Sequence, residues 1–273
     1  MNGAILESGF YQHGETKRSR RIRRTFFVII AALAFILTLE LVFHLIVSPR
    51  LRVTHLRVFA DRGLGLSDAE VLELAGIQGN EYFYAIDEAN ISKKISEYAP
   101  IKTATVKKEF PNTLKISVFP RTPLVLSLAT LSGSSVPIAL DEEGVVFQIG
   151  PSVYNHNLPV ISGLTFQEVS LGQRVHRTLL GALEDLYALR ATSPTLFSLI
   201  SEIKFVKKNR TSFEVLLFPR DYRVRVRIGT RIDADLLREI LLVLDVFSKQ
   251  GIIKNLVEID FRTDKAVARF KEE

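Results

Sequence analysis

Residues Phe26–Val47 constrain this chain more than any other stretch. They run for 22 residues with only two ionisable side chains, Glu40 and His44. Six basic residues crowd the preceding eight positions: Lys17, Arg18, Arg20, Arg21, Arg23 and Arg24. At about 1.5 Å per residue the apolar run spans roughly 33 Å, enough for a hydrocarbon core of about 30 Å. Sixteen of its residues are Leu, Ile, Val or Phe, and together they favour insertion by roughly 5–10 kcal/mol. A charged Glu40 at the membrane centre costs about 3 kcal/mol, less toward the outer end where it lies, so insertion wins. A cleaved signal peptide would have an apolar core of about 7–15 residues and a small-x-small site. This run is longer, and Ile46-Val47-Ser48-Pro49 does not fit such a site.

The denser positive flank stays in the cytoplasm. Residues 1–24 are thus expected inside as a tail, 25–47 across the cytoplasmic (inner) membrane in a single pass, and the rest outside. The net charge of +6 divides unevenly. The tail carries +4, which is topology signal and anionic-lipid contact rather than a nucleic-acid footprint. The remainder carries +2, from 30 basic and 28 acidic residues. There are no cysteines, which excludes disulfides, thiolate nucleophiles and Cys-based zinc sites. The outer 226 residues suffice for two domains. Residues 1–16 are polar without a helical period and read as disordered.

The outer part reads as α+β. Leu51–Phe59 is an expected strand. Ser67-Asp68-Ala69-Glu70 is a capping box that opens a helix ended by Gly76. Asp87 caps a second helix, with Ile91 and Ile95 on one face and Pro100 stopping it. Thr103–Phe110 and Thr113–Phe119 are strands around Pro111-Asn112, giving the order strand, helix, helix, strand, strand. Mostly strands follow: Leu124–Leu128, then Ile138–Leu140 and Val145–Ile149 around the turn Asp141-Glu142-Glu143-Gly144, with Leu158–Ile161 a short apolar segment. Val175–Leu189 is an expected helix with Leu179, Leu183, Leu186 and Tyr187 inward. Leu199–Val206, Ser212–Phe218 and Tyr222–Ile228 are strands. Asp233 caps a long helix with Leu237, Ile240, Leu241, Leu244 and Phe247 inward, ended by Gly251. Leu256–Phe261 and Lys265–Phe270 close the chain as strands around Thr263-Asp264.

Catalytic patterns are weak. The histidines (His13, His44, His55, His156, His176) are scattered, with no pair at i, i+4, and no Ser sits in a nucleophile elbow. Gly63-Leu64-Gly65 is a turn rather than a phosphate loop. The acids Asp141, Glu142 and Glu143 read as a solvated turn, because adjacent turn residues do not converge on one substrate. No catalytic residue, cofactor site or metal site is expected. Glu40 and His44 share a helix face at i, i+4, so they can bond each other or a partner helix. The favoured reading places both near the outer boundary, reaching water. Arg223, Arg225 and Arg227 alternate along one strand face. Contact with anionic lipid or wall polymer is one reading, and a face balanced by acidic cross-strand neighbours is preferred. The last strand, if an edge, offers free backbone groups to a partner strand. An ordinary edge blunted by Lys265, Arg269 and Lys271 is equally consistent with the sequence.

At Lys108-Glu109-Phe110-Pro111-Asn112-Thr113-Leu114-Lys115-Ile116-Ser117-Val118 the chain resembles the FtsQ/DivIB family of bacterial cell-division proteins. That family shows there a basic residue, an aromatic, Pro-Asn-Thr-Leu and Ile-x-Val, followed by Glu-Arg-x-Pro. Here the last motif is Pro120-Arg121-Thr122-Pro123, with proline in place of the glutamate. Further matches are Leu140–Phe147, Leu158–Gly163, Val226-Arg227-Ile228-Gly229 and Ile259-Asp260-Phe261-Arg262, so the resemblance covers about residues 17–270. It implies a POTRA domain over 48–122 and a mostly antiparallel β domain with flanking helices over 123–273. It also implies a non-enzymatic scaffold that binds FtsB/FtsL-type partners and acts at the division septum. Carried over by motif, the partner-binding candidates are Asp260, Arg262, Ala266, Val267, Ala268, Arg269 and Phe270. The candidate recruitment surface is Arg121 and Pro123. No nucleic acid and no small-molecule substrate are implied. Two other roles carry requirements of their own. A POTRA protein of secretion or envelope assembly would carry a C-terminal barrel of short amphipathic strands, and the two expected helices argue against it. An anchored wall hydrolase needs convergent acids or a metal site.

Overall fold

The computed structural model describes residues 17–47, 51–155, 157–164, 166, 168–209, 213–263 and 265–271. The expected disorder of 1–16, His13, His156 and Asp264 of the final turn lie outside these. Helix α1 (Lys17–Val42) continues into one π-helical turn, Phe43–Val47. With no Pro or Gly inside it, the apolar run has nothing to break it. The most apolar 18 residues within Arg23–Ile46 have a mean hydropathy of 2.8, and this is the one helix among the described residues long and apolar enough to cross a membrane. Its apolar side chains are exposed, as a lipid-facing helix requires.

The chain forms two compact units. In the smaller one, residues up to 56 join 79–86 and 108–114. The Arg52 guanidinium donates to Asn80 Oδ1 (2.9 Å) and to the Tyr82 hydroxyl (3.1 Å). Lys108 Nζ donates to the Ile86 carbonyl at 3.0 Å and lies over the Phe83 ring.

The larger unit holds residues 57–78, 87–107 and 115–273. Its first two helices start where short polar side chains satisfy orphan N–H groups. In α2 (Asp68–Ala75) the Ser67 hydroxyl accepts from Glu70 N–H, while the Glu70 carboxylate accepts from Ser67 N–H at 2.8 Å. Gly76 ends the helix at φ +69°. In α3 (Glu88–Ser96) Asp87 accepts from Ala89 and Asn90 N–H. Strands β1 (His55–Ala60), β2 (Ile101–Glu109) and β3 (Thr113–Pro120) form a three-stranded sheet in the order β1-β3-β2. The order strand, helix, helix, strand, strand is the one the sequence predicts.

The second sheet has nine strands: β4 (Val125–Leu131), β5 (Ser134–Leu140), β6 (Val146–Ile149), β7 (Val160–Ser162), β8 (Ile200–Lys207), β9 (Phe213–Pro219), β10 (Arg225–Ile228), β11 (Leu256–Asp260) and β12 (Val267–Phe270). Their spatial order is β12-β11-β10-β9-β8-β7-β4-β5-β6. Most pairs are antiparallel, but β7 runs parallel to both β4 and β8, and β10 runs parallel to β11. A parallel pair needs a long crossover. Helices α4 (Leu180–Thr192) and α5 (Pro194–Ser198) carry the chain from β7 to β8, and α6 (Ala234–Lys249) carries it from β10 to β11. Leu183, Leu186 and Leu189 of α4 join Leu237, Ile240 and Leu244 of α6 over Ile203, Leu217, Val226 and Ile259 of the sheet, in one continuous core. Each such fully buried Leu or Ile contributes about 1.5–3 kcal/mol. The fold is mixed α+β, with an apolar N-terminal helix ahead of it.

Several expectations need correction. The helix expected from Val175 begins at Leu180, after one 3-10 turn (Arg177–Leu179). Residues 173–175 instead run extended beside the start of β6: Val146 N–H donates to the Gln173 carbonyl, and Gly172 N–H, from the turn before, to the Val146 carbonyl. Tyr187 is 49% exposed rather than inward, because the buried stripe of α4 runs Ala182, Leu183, Leu186, Leu189. Helix α5 was not expected, although Ser193-Pro194 is a helix-start signal, with proline in the first turn.

Gly163 follows β7 at φ +79°, and a Cβ there would stand 2.1 Å from the Phe205 carbonyl oxygen of β8. Gly163→Ala is expected to lower stability by at least the roughly 1–2 kcal/mol cost of the left-handed conformation, with the backbone clash adding to it. Denaturant titration of the two proteins measures this directly.

Candidate functional site

The two ends of the nine-stranded sheet differ. At the β6 end, residues 172–175 bond to Gly144 and Val146 and so cover only the start of the strand. β12 pairs with β11 on one side and, among the described residues, has no strand on the other. The phase of its backbone follows from two bonds. Lys271 N–H donates to the Asn255 carbonyl (2.8 Å), so residue 271 points into the sheet; Phe261 N–H donates to the Arg227 carbonyl (2.8 Å), so Asp260 and Glu258 of β11 point toward β12. Val267 and Arg269, opposite Asp260 and Glu258, therefore point their N–H and C=O groups inward. Ala268 and Phe270 point theirs to the open edge, because strand residues alternate.

The side chains alternate as well. Ala268 packs on the core shared with α6, and the Phe270 ring stands 6.3 Å from Phe247 of α6. Val267 and Arg269 take the other face, with Arg269 3.7 Å from Glu258. Val267 and Phe270 stay exposed. On α6 the exposed Leu242 and Val246 add apolar surface. Ala266 lies just ahead of the strand. The edge thus carries the exposed apolar Val267 and Phe270 together with the basic Lys265, Arg269 and Lys271.

The charged face beside β12 is held internally. Arg262 Nε donates to both Asp260 oxygens at 3.0 Å, and its Nη1 donates to Glu214 at 2.9 Å. The hydrogen bonds from Arg262 hold the Asp260 carboxyl below its ordinary range, against a smaller opposing effect of burial. Arg227 bridges Glu214 and Glu258, and Arg225 lies 3.7 Å from Glu258. The preferred expectation of acidic cross-strand neighbours thus holds for Arg225 and Arg227, which are no free cationic patch. Arg223 precedes β10.

A second cluster lies around Arg121. Its Nη1 pairs with Asp141 and, at 2.8 Å, with Glu143. Its Nε donates to the Ala99 carbonyl (3.1 Å), and its backbone N–H to the Pro100 carbonyl (2.9 Å). Asp141 is fully buried and also accepts from the N–H groups of Glu143 and Val145. The expected solvated turn is therefore wrong at Asp141: the turn folds its first carboxylate inward because a guanidinium awaits it. Burial opposes the charge on Arg121, but hydrogen bonds to Glu143 and Asp141 outweigh it and raise its pKa. The same bond from Arg121 lowers that of Glu143. The Lys102–Glu142 pair flanks the cluster. With 9% of its side chain exposed, Arg121 presents little to a partner. Pro123, half-buried, lines a cavity of about 320 Å³ with Leu64, Pro100, Pro120 and Phe147, and its carbonyl accepts from Arg190 at 2.6 Å. Glu40 sits in α1 and His44 in the π turn, both exposed.

Residues 65–119 match the FtsQ-type POTRA domain. The chain is similar to the cell division protein DivIB of Geobacillus kaustophilus, 32% identical over 42% of this chain and 41% of that protein. It is similar to the cell division protein FtsQ of Mycolicibacterium smegmatis, 28% identical over 45% of this chain and 35% of that one. It is also similar to the FtsQ of Geobacter sp. strain M21, 24% identical over 75% of this chain and 71% of that one. The match thus spans about two-fifths of the first two relatives' length. Domain model and relatives point the same way: the chain carries an FtsQ-type POTRA domain and is similar to FtsQ and DivIB cell-division proteins.

Proposed function

We propose that this chain is a non-enzymatic, single-pass scaffold of the bacterial division complex, with its N-terminus in the cytoplasm and residues 48–273 outside. Residues 48–122 act as the POTRA domain and 123–273 as the partner-binding β domain. FtsB/FtsL-type division proteins dock at β12, adding a strand along Val267–Phe270 and contacting Ala266, with other members of the complex as further partners. Asp260 and Arg262 hold the end of β11 against which β12 lies. The observation that carries this reading is the edge of β12, which among the described residues has no strand beside it and bears the exposed Val267 and Phe270. Similarity to FtsQ and DivIB proteins supports the division role, and α1 supports membrane anchoring. Arg121 serves in positioning, setting the segments around Pro123, rather than as a recruitment contact. A fluorescent protein fused ahead of Met1 tests the role in growing cells. A mid-cell band appearing with constriction is expected, whereas a uniform envelope signal contradicts the reading.

A further inference from the structure

The segment just past the apolar helix is bonded to a group of aromatic side chains. Val53 N–H donates to the Glu81 carbonyl at 2.9 Å, and Thr54 N–H to the Asn112 carbonyl at 3.0 Å. Arg52 bridges to Tyr82, and its guanidinium lies 4.9 Å from the centre of the Tyr82 ring. Residues 52–54 thus hold two short stretches, 82–84 and the hairpin turn at 110–112. Tyr82 stacks on Tyr84 with ring centres 5.4 Å apart, and Phe83 meets Phe110 edge-on at 6.2 Å. Lys108 Nζ lies 5.7 Å from the centre of the Phe83 ring.

Two of these rings are turned outward. Phe110, 79% exposed, is the most exposed large apolar side chain among the described residues, ahead even of those on α1, and Tyr84 is 59% exposed. Exposed apolar groups gathered in one place mark a contact surface. The Arg52 guanidinium donates only to neutral groups, Asn80 and Tyr82, and pairs with no carboxylate among the described residues. Glu109 alternates with Lys108 to the opposite face of β2.

Chain length decides what can meet this surface. Arg52 is five residues past Val47, the last of the apolar run, and five residues reach at most about 18 Å. With Val47 at the outer boundary of the hydrocarbon core, the headgroup layer above it is roughly 5–8 Å deep. Anything bonded to residues 52–54 is therefore kept close to that layer. Aromatic side chains collect at this depth, and basic ones beside them reach the headgroups. The charges match, since lipid phosphates are anionic and the groups set on the rings are cations. We propose that Phe110 and Tyr84 insert into the outer interface of the bilayer, with Arg52 and Lys108 directed to lipid phosphates, so that the phospholipid surface is the partner of this patch. The inference rests on the membrane anchoring proposed above.

The chain has no tryptophan, so one introduced residue reports alone. The full chain carries Phe110→Trp, Tyr84→Trp or, as a reference, Leu242→Trp at an exposed position of α6. Each protein is reconstituted in liposomes of phosphatidylglycerol and phosphatidylethanolamine. Part of the lipid is then replaced by phospholipid brominated on its acyl chains, which quenches only rings that reach the acyl boundary. The Phe110→Trp and Tyr84→Trp proteins are expected to be quenched about threefold more than the Leu242→Trp protein, as insertion to that boundary requires. Quenching no greater than that of the Leu242→Trp protein would overturn the proposal, as would the emission of a water-exposed indole at both positions. Carbonate extraction of the unsubstituted chain from native membranes tests the anchor separately. An extracted chain refutes the anchor, whereas a retained chain with unquenched tryptophans refutes the interfacial patch alone.

Discussion

Replacing Arg121 by alanine is expected to destabilise the extramembrane part by about 3–5 kcal/mol, the usual cost of leaving one partner of a buried ion pair uncompensated. Asp141 is fully buried, and without the guanidinium its remaining donors are the backbone N–H groups of its own turn. A loss of that size lowers the midpoint of thermal unfolding by roughly 2–4 °C per kcal/mol for a domain of this size. Circular dichroism melts of the full chain in mild detergent read it out. A second change gives a sharper result. Arg121→Met together with Asp141→Leu removes both charges at similar volume and is expected to recover most of the loss, since replacing a buried pair by apolar groups is often neutral. An Arg121→Ala protein as stable as the original would show that the cluster holds nothing together. The cluster also predicts acid sensitivity. The carboxyl of Glu143 is lowered by its bond from Arg121, so its contribution is complete above the ordinary carboxylate pKa and is lost as pH falls through the lowered one. Glu143 is 41% exposed, and solvent screening keeps its share small beside that of Asp141.

Ala268→Pro is expected to weaken binding of an FtsB-type partner by roughly 30- to 100-fold, about 2–3 kcal/mol, while leaving the fold intact. Proline removes the N–H that Ala268 directs outward and puts its ring where an added strand would pass. It takes nothing from the β11–β12 ladder, where an edge strand tolerates proline on its free side. Arg269→Pro is the contrasting change. The Arg269 N–H points inward, so the same residue type there breaks the ladder and destabilises the chain. Isothermal calorimetry for binding and thermal melts for stability separate the two. Equal loss of stability in both variants would mean that the backbone phase deduced for β12 is wrong.

What could be read from the sequence was mostly local. The Ser67–Glu70 box and the caps at Asp87 and Asp233 depend on residues three apart, and all three sit where expected. The stripe Leu237, Ile240, Leu244 followed from helical spacing, and the membrane helix from sheer length. What depends on distant residues was not legible. The solvated-turn reading of Asp141 failed because its partner lies twenty residues earlier, on the strand exit at Arg121. The start of α4 differs from the expectation because residues 173–175 pair with the start of β6, a role no local pattern announces. The parallel pairings of β7 and β10 depend on helices that fold back over the sheet. At the site, the sequence suggested the last strand but not whether its edge was free. That required knowing that β11 lies on one side of it and that, among the described residues, no strand lies on the other.

Amide hydrogen exchange, with and without an FtsB-type partner, tests the central claim most directly. In the free chain the N–H groups of Ala268 and Phe270 should exchange rapidly and those of Val267 and Arg269 slowly. On adding the partner, protection should appear at Ala268 and Phe270. Binding that protects other segments while these two amides exchange as before would contradict strand addition at β12.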